Sequence, residues 1–567
     1  MYLRTTQRRN RDGSVVRYVQ LAHNRRVAGV TQAQVLLNLG REDQLDPDGL
    51  RRLVASIDRY LGDPDAGLPA DAAQLAGEGL RVAASRPVGA VHLLDGLWRA
   101  LGVDGALRKV LGSRRFTTDV ERVLFALVAN RAIDPMSKLG AAEWATCDVA
   151  IDGLQTMDED QAYRAMDLLV AADAQAQVQE AVFFAVADLL NLEVDLLFFD
   201  TTSTYFERDG EETGEGAFRV YGHSKDHRDD LPQIVIGLAV TKEGIPVRVW
   251  CWPGSTNDQT ILSQVKDDIR GWRLGRIITV VDRGFSSADN LAYLRRGGGH
   301  FIAGMRMRDG NPLVEQVLSR QGRYQQVKEN LRVKEVTVSD TDVRFVICHN
   351  PEQAERDRTQ RQDAIARLEA ELERIKQARD RGRNNKTSRN AKYKAETAHL
   401  KAECALRDHP TLGRWLRQSP SGRLFIDRAK IKHEARLDGK YLIATSDPHI
   451  SAEDTALGYK NLLEAERGFR DLKTTLLLRP VFHRLEHRIR AHVLLCWLAL
   501  LLVRVAERRT SLTWRRIAIE LGRVHAVALT GSAGTVVHTT PLTTTQAGIL
   551  RACQVPPPPA VTALNPA

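Results

Sequence analysis

Three carboxylates stand in settings that could do chemistry. Asp200 closes the apolar run VDLLFFD and is followed by TTST, and Asp282 closes RIITVVD and is followed by RGFSS. Both runs are rich in β-formers, so each acid falls at the end of a predicted strand. Strand ends at the open edge of an α/β sheet are where sites form. A carboxylate there that is shielded from water needs a cation or a donor. Two of them side by side repel, and a divalent cation removes that cost. Mg²⁺ takes oxygen ligands, usually few protein carboxylates completed by water and substrate phosphate. Glu466 is a third acid that could complete a two-metal site for in-line attack at a phosphodiester. Taken singly, each acid reads as a cap or turn residue. The argument rests on the set and its order along the chain.

Glu466 lies in YKNLLEAERGFRDLK, Tyr459 to Lys473, which is predicted to be one helix without proline. At about 100° per residue, steps of seven return to nearly the same face. Tyr459, Glu466 and Lys473 therefore align, Arg470 falls close to that line, and Arg467 lies about 100° away. The plain reading is a solvated face with ion pairs such as Glu466 to Arg470. The two aspartates upstream make Glu466 a metal-site candidate instead.

The elements that must position these residues follow from the pattern. Residues 1–40 alternate apolar and polar in short runs, a small antiparallel β module. From Leu45 the period becomes helical, a Gly/Ala/Pro/Asp-rich linker follows, and residues 86–190 read as helix after helix. The period then changes to strands at 194–207, 232–241 and 245–254, the last two joined by a Lys-Glu-Gly hairpin turn. Alternating helices and strands run on to HFIAGMRM, which predicts a mixed α/β sheet. Residues 323–349 and 420–447 are again strand-like. Between them, Ile365, Leu368, Leu372 and Ile375 make a short apolar seam that runs into a basic stretch with eight cations against one acid. A helical hairpin with a basic tip is expected, in contact with nucleic acid or simply solvated. The apolar run Val493–Val503 is too short to span a bilayer and reads as a buried helix. The Pro-rich end, VPPPPAVTALNPA, is expected to be disordered.

Composition agrees with an acidic polymer as partner. The formal net charge is +10, and residues 1–41 carry eight arginines against Asp12 alone. Those arginines could lie along DNA phosphates or form a wet face. Six cysteines are scattered without CxxC spacing, which argues against a zinc ribbon or a disulfide framework. With no apolar signal segment at the N-terminus, a cytoplasmic protein without membrane contact is expected. His223 and His227 have the spacing of a zinc pair, yet Lys225, Asp226 and Arg228 make the segment a polar loop. Lys225 and Arg228 are candidate DNA contacts from that loop.

The order strand–Asp200, strand–Asp282, helix–Glu466 resembles the Asp-Asp-Glu core of the ribonuclease-H-like superfamily, and more closely the bacterial insertion-sequence DDE transposases. One large group of them carries the glutamate in a Tyr-x2-Arg-x3-Glu-x6-Lys signature. Tyr459, Glu466 and Lys473 fit that spacing, while Leu462 stands at the arginine position. DTTSTYFE, GHSKDHRDDLPQIVIGL, VVDRGFSS and ERGFRDLK resemble the group's other blocks, as does the N-terminal YLRTT…VLLNLG.

The resemblance implies cleavage of transposon ends and joining of the 3′-OH to target DNA by two-metal phosphodiester chemistry. Asp200, Asp282 and Glu466 would hold Mg²⁺, with Mn²⁺ as a substitute. Tyr459, Arg470 and Lys473 would position DNA, Lys473 as a phosphate-binding point charge. The partners would be double-stranded DNA, both terminal inverted repeats and target, and a second copy of the chain in a homodimer on DNA, in the bacterial cytoplasm with the nucleoid. The expected organisation is a basic β module with a helix (1–60), a helical DNA-binding region (61–190), the first part of a ribonuclease-H-like core (191–310), a β-rich insertion with a basic helical hairpin (311–447, hairpin 351–409), the rest of the core (448–525) and a partly disordered tail (526–567). A ribonuclease-H-like structure-specific nuclease without strand transfer shares the same acids. A non-catalytic DNA-binding protein derived from a transposase is disfavoured by the presence of all three.

Overall fold

The computed structural model describes residues 2–9, 15–27, 30–46, 50, 54, 80–112, 119–171, 174–190, 195–208, 210–272, 276–339, 341–384, 400–420, 422–531 and 534–566. Most of the helix expected after Leu45, the linker behind it and the tip of the basic hairpin at 385–399 lie outside these residues. The chain divides into two compact units, one of Met1–Ala84, Ala528–Val537 and Ala563–Ala567, the other of Ser85–Val527 and His538–Thr562.

In the first unit, β1 (Tyr2–Arg9), β2 (Val15–Val27) and β3 (Val30–Arg41) form an antiparallel meander. Val19 and Ala22 of β2 are buried, and Arg4, Arg8 and Arg9 of β1 lie in solvent.

After β4 (Arg81–Pro87), six helices follow: α1 (Gly89–Ala100), α2 (Val103–Leu111), α3 (Val120–Ile133), α4 (Lys138–Glu143), α5 (Glu159–Ala171) and α6 (Ala174–Leu190). Asp119 caps α3 by accepting from the N–H groups of Glu121 and Arg122. The strands β5 (Leu196–Tyr205), β6 (Gln233–Thr241) and β7 (Pro246–Pro253) come next, then α7 (Asp258–Arg270), β8 (Ile278–Val281), α8 (Ala288–Arg295), β9 (His300–Met305) and α9 (Pro312–Ser319). Gly244, at φ +77°, makes the β6–β7 turn at the expected Lys-Glu-Gly.

The expected insertion contributes β10 (Gln325–Lys328), β11 (Leu331–Thr337), β12 (Arg344–His349), the long helix α10 (Pro351–Asn384), β13 (Leu416–Gln418), β14 (Leu424–Ile426), α11 (Arg428–Ala435) and β15 (Lys440–Thr445). Its strands add to the open edge of the core sheet, because β15 pairs antiparallel with β9. A single mixed sheet of nine strands results, in the order β10-β11-β12-β15-β9-β8-β5-β6-β7. Within it, β5 and β9 are each parallel to β8, and β5, β6 and β7 are successively antiparallel. The seam of α10 is used as expected: Leu368 and Ile375 pack with Leu406, Trp415 and Leu424. The strand expected through GRLFIDRAKI is cut short, because Asp427 caps a helix by accepting from the N–H groups of Ala429 and Lys430.

The last part holds α12 (Ala452–Lys460), α13 (Leu463–Thr474), α14 (Glu486–Thr510), α15 (Trp514–Leu521), β16 (His525–Gly531), β17 (Gly534–Thr539), α16 (Thr544–Ala552) and β18 (Val561–Pro566). The Pro-rich end is ordered by contacts its composition does not reveal: Val555 fills the space a Cβ on Gly96 would occupy, and His92 Nε2 lies 2.7 Å from the Pro556 carbonyl oxygen. By length and apolarity α14 could cross a bilayer, but 89% of its apolar window is buried inside the fold. It is the buried helix that the sequence suggests, packed against α3, α5, α13 and β7. One face of the sheet lies on α12, α13 and α14. The other is covered by α7, α8 and α9.

The helical layer buries an ion-pair network around Glu121. Glu121, 1% exposed, accepts from Trp98 Nε1 at 2.7 Å, from Arg122 at 2.6 and 3.0 Å, and from Arg108 at 2.9 Å. Burial alone would push its carboxyl up, but the hydrogen bonds from Arg122 and Arg108 hold it below the usual range. Glu121→Ala strips a nearly buried Arg122 of its bidentate partner. Breaking one side of a buried ion pair costs about 3–5 kcal/mol, so the variant should show that loss in denaturant or thermal unfolding. Glu121→Gln, which keeps one acceptor, should lose less.

Candidate active site

The site begins with strand register. Phe199 of β5 pairs with Val281 of β8 in the parallel ladder, and β8 ends there. The next residues, Asp200 and Asp282, therefore leave two adjacent strands side by side. Asp200 does not end its strand as expected, because β5 runs on to Tyr205, paired with β6 alone. Side chains alternate along a strand. Asp200 thus shares the face of Phe198, and Asp282 that of Val280, the face packed by α12 to α14.

The stretch Tyr459–Lys473 is two helices rather than one. α12 ends at Lys460 and α13 starts at Leu463, with a turn at Asn461 and Leu462. Ala465, Phe469 and Leu472 of α13 are buried against the sheet, and Gly468 lies so close to Leu238 of β6 that a Cβ would sit 2.7 Å from its Cδ2. This close approach sets the helix over the acids. Glu466 is exposed and lines, with Asp282, Arg283 and Tyr459, a cleft of about 840 Å³.

Asp200 is the most perturbed acid of the group. Burial pushes its carboxyl up to about 6, Asp282 and Asp258 push the same way, and Lys225 with the Thr201 N–H at 2.7 Å oppose them. Lys225 stands among the acids: its Nζ lies 3.9 Å from Asp200, 3.3 Å from Asp258 and 2.7 Å from the Thr201 carbonyl oxygen. Asp258, the first residue of α7, also accepts from the Thr201 hydroxyl at 2.7 Å. The sequence points to Asp258 only as a helix-start residue. Its place in the site depends on where α7 lands, which no local spacing reveals.

The predicted DNA-positioning residues separate. The Tyr459 hydroxyl donates to Asp282 at 2.7 Å, and burial followed by the Asp282 charge pushes its phenol upward. Its ring stacks on Tyr441 and lies against Gly304. Lys473 is largely buried and pairs with Asp226 at 2.9 and 3.1 Å, and Arg479 meets the same carboxylate at 2.9 Å. Burial pulls the Lys473 ammonium down, and Asp226 opposes that. Arg228 pairs with Asp230 at 2.8 Å and sits 5.1 Å over the Tyr205 ring. Arg467 pairs with Glu464 at 2.7 Å. Arg470 is exposed, with no side-chain ion pair among the described residues.

Among the described residues, no three His, Cys, Asp or Glu side chains converge into a ready-made metal cage. The donor chemistry still fits a hard divalent cation. Asp200, Asp258 and Asp282 crowd oxygen charge that Lys225 offsets in part, and Mg²⁺ characteristically takes one or two carboxylates and leaves its other positions to water and phosphate.

Residues 195–502, more than half of the chain, match the family model described as the transposase DDE domain. Residues 3–69 match that of the N-terminal domain of IS1634 family transposases. No curated protein matches. Among solved structures, a piggyBac transposase synaptic complex with hairpin DNA is similar over 75% of this chain and 79% of its own, at 10% identity and a TM-score of 0.34, a likeness too loose to bear on the fold.

Two outcomes follow from this geometry. A Cβ on Gly304 would overlap the Tyr459 hydroxyl and lie 2.8 Å from its Cζ, so Gly304→Ala should dislodge the ring from Asp282. Catalytic turnover should fall by at least about 100-fold, the scale on which loss of one preorganised contact acts, and a spectroscopic titration should show the Tyr459 phenol returning toward its ordinary range. Asp200 binds its proton more tightly folded than unfolded. Its contribution to stability is therefore full below about pH 4, the unfolded carboxylate value, and is lost as pH rises through about 6. In the presence of chelator, Asp200→Asn should melt above the unsubstituted protein at pH 8, with the gap closing toward pH 4.

Proposed function

Because the chain belongs to the DDE transposases of insertion sequences, we propose that Asp200, Asp282 and Glu466 are the three acids of its active site. The protein is a DNA transposase, a metal-dependent enzyme of DNA cleavage and strand transfer. The observation that carries the assignment is the pairing of Phe199 with Val281, which sends Asp200 and Asp282 off adjacent parallel strands onto the face beneath the Glu466 helix. The order β7-β6-β5-β8-β9, antiparallel in its first pairs and parallel in its last two, supports reading the core as ribonuclease-H-like, with the insertion strands added beyond β9.

In this reading the cation is Mg²⁺, replaceable by Mn²⁺. Asp200, Asp282 and Glu466 would hold such cations, which would supply charge to the attacking and leaving oxygens of an in-line displacement, with water and then a 3′-OH as nucleophile. The chain's own residues prepare that site. Tyr459 fixes one oxygen of Asp282 and so orients the carboxylate. Lys225 balances Asp200 and Asp258 before the substrate arrives and is placed to meet a phosphate oxygen afterward. Arg470 is open to DNA from the exposed side of α13. Lys473 and Arg228 reach DNA only by leaving Asp226 and Asp230, which makes them conditional contacts. The arginine-rich module of 1–60 and the helices of 61–190 would grip terminal inverted repeats, and two chains would hold two ends while target DNA enters. Such an enzyme works in the cytoplasm, on the nucleoid.

The test uses the DNA flanking the coding gene. Duplexes carrying its terminal inverted repeats should be cut in Mg²⁺ or Mn²⁺ and their 3′ ends joined to a plasmid target. Asp200→Asn, Asp282→Asn and Glu466→Gln should each abolish cutting while leaving gel-shift binding of the repeat within about threefold. Cleavage by Asp282→Asn at the unsubstituted rate would refute the assignment.

A further inference from the structure

The segment between α13 and α14 is a strap, and its side chains alternate. Leu476, Leu478, Val481 and His483 point inward and are 8% exposed or less. Between and beyond them Leu477, Phe482 and Leu485 point outward at 41%, 71% and 49% exposure. The strap is fastened at Arg479 and, just past its end, at Arg488 in the first turn of α14. Arg479 pairs with Asp226 at 2.9 Å, and Arg488 makes a bidentate pair with Asp167 at 2.8 Å. His483 locks its middle by packing on the rings of Tyr163 and His492. Phe482 is thus a large aromatic held out in water by a pinned backbone. Single exposed apolar residues are common, but this one shares its strap with the outward Leu477 and Leu485 and lies within three residues of the exposed Arg484 and the half-buried Arg479.

Its position is equally specific. The strap leaves the helix that carries Glu466, and its anchor Asp226 adjoins Lys225, which touches Asp200. A ring exposed three residues past Arg479, which is joined through Asp226 and Lys225 to Asp200, has the chemistry of a base-stacking wedge. Apolar wedges unstack base steps, and base–aromatic stacking tolerates any base.

We propose that Phe482 inserts against an unstacked base at the transposon end, with Arg484 on a flanking phosphate and the 477–485 strap as its rigid mount. The inference rests on the reading that DNA ends reach the acids above. It differs from it in needing no chemistry, so binding alone can test it.

The full chain carrying Asp282→Asn is mixed with terminal-repeat duplexes that contain 2-aminopurine at successive positions near the cleavage site. Fluorescence should rise at one or two positions as a base leaves the stack. Adding Phe482→Ala should abolish that rise and weaken binding of the repeat about 5- to 150-fold, equivalent to about 1–3 kcal/mol of base–aromatic stacking. Binding of unrelated duplex should stay unchanged, and Phe482→Trp should restore the signal. An unchanged fluorescence rise with Phe482→Ala overturns the proposal. So does a loss confined to chain–chain association on DNA, measured by light scattering with the rise intact, because the strap would then be a protein contact. Failure of the acid assignment would appear separately, as cutting by Asp282→Asn.

Discussion

Everything at this site depends on one parallel ladder, between β5 and β8. Hydrogen bonding brings neighbouring strands to about 4.8 Å, and the register puts the residues after Phe199 and Val281 next to each other. Two carboxylates at that spacing on a packed face repel. The fold bears this because α13 covers the acids without sealing them, and because Lys225 reaches in from the 222–231 loop. Burial first, and the charges of Asp282 and Asp258 after it, push the Asp200 carboxyl up. They are also what makes a divalent cation welcome, since a cation removes both the burial penalty and the repulsion.

The neighbouring residues Lys225 and Asp226 divide the work around the acids. Lys225 faces the carboxylates of Asp200 and Asp258, and Asp226 gathers the cations Lys473 and Arg479. The two clusters are back to back, so charge on one side of the loop is balanced by opposite charge on the other. A DNA phosphate arriving at this place would compete with Asp226 for the same cations. The Glu466 helix, the strap and the 222–231 loop are thereby coupled through a single carboxylate, and packing of α13 on β6 at Gly468 keeps the helix from drifting.

Much of this was legible in the residues. The apolar runs before Asp200 and Asp282 predict buried strands whatever surrounds them, since a half-solvated strand would alternate. The Lys-Glu-Gly turn, the seam of α10 and the apolar run inside α14 were equally local signals. Features that depend on longer-range packing are not legible in local spacing. The stretch Tyr459–Lys473 has helical spacing throughout, yet the chain turns at Asn461 and Leu462, which sends the Tyr459 ring to Asp282 instead of along the Glu466 face. DRAKI has strand-like content, but one Asp427 cap makes it helical. Asp258 carried no mark at all beyond its place near a helix start.

Which residues could do chemistry, the order in which strands and helices carry them, and the basic character of a chain that meets an acidic polymer can all be read from the letters. Those properties are set by residue type, period and charge, which are local. Packing of the folded chain settled which cations are free and which are spent. Lys473, Arg228 and Arg470 are equivalent as letters, but the first two face Asp226 and Asp230 while Arg470 faces solvent. It also decided that the insertion strands extend the core sheet through β15, and that Phe482 stands out on a pinned strap. Pairing of charges, choice of sheet edge and exposure of a side chain all depend on which distant segment arrives alongside. That is settled by packing of the whole chain, not by the spacing within any part of it.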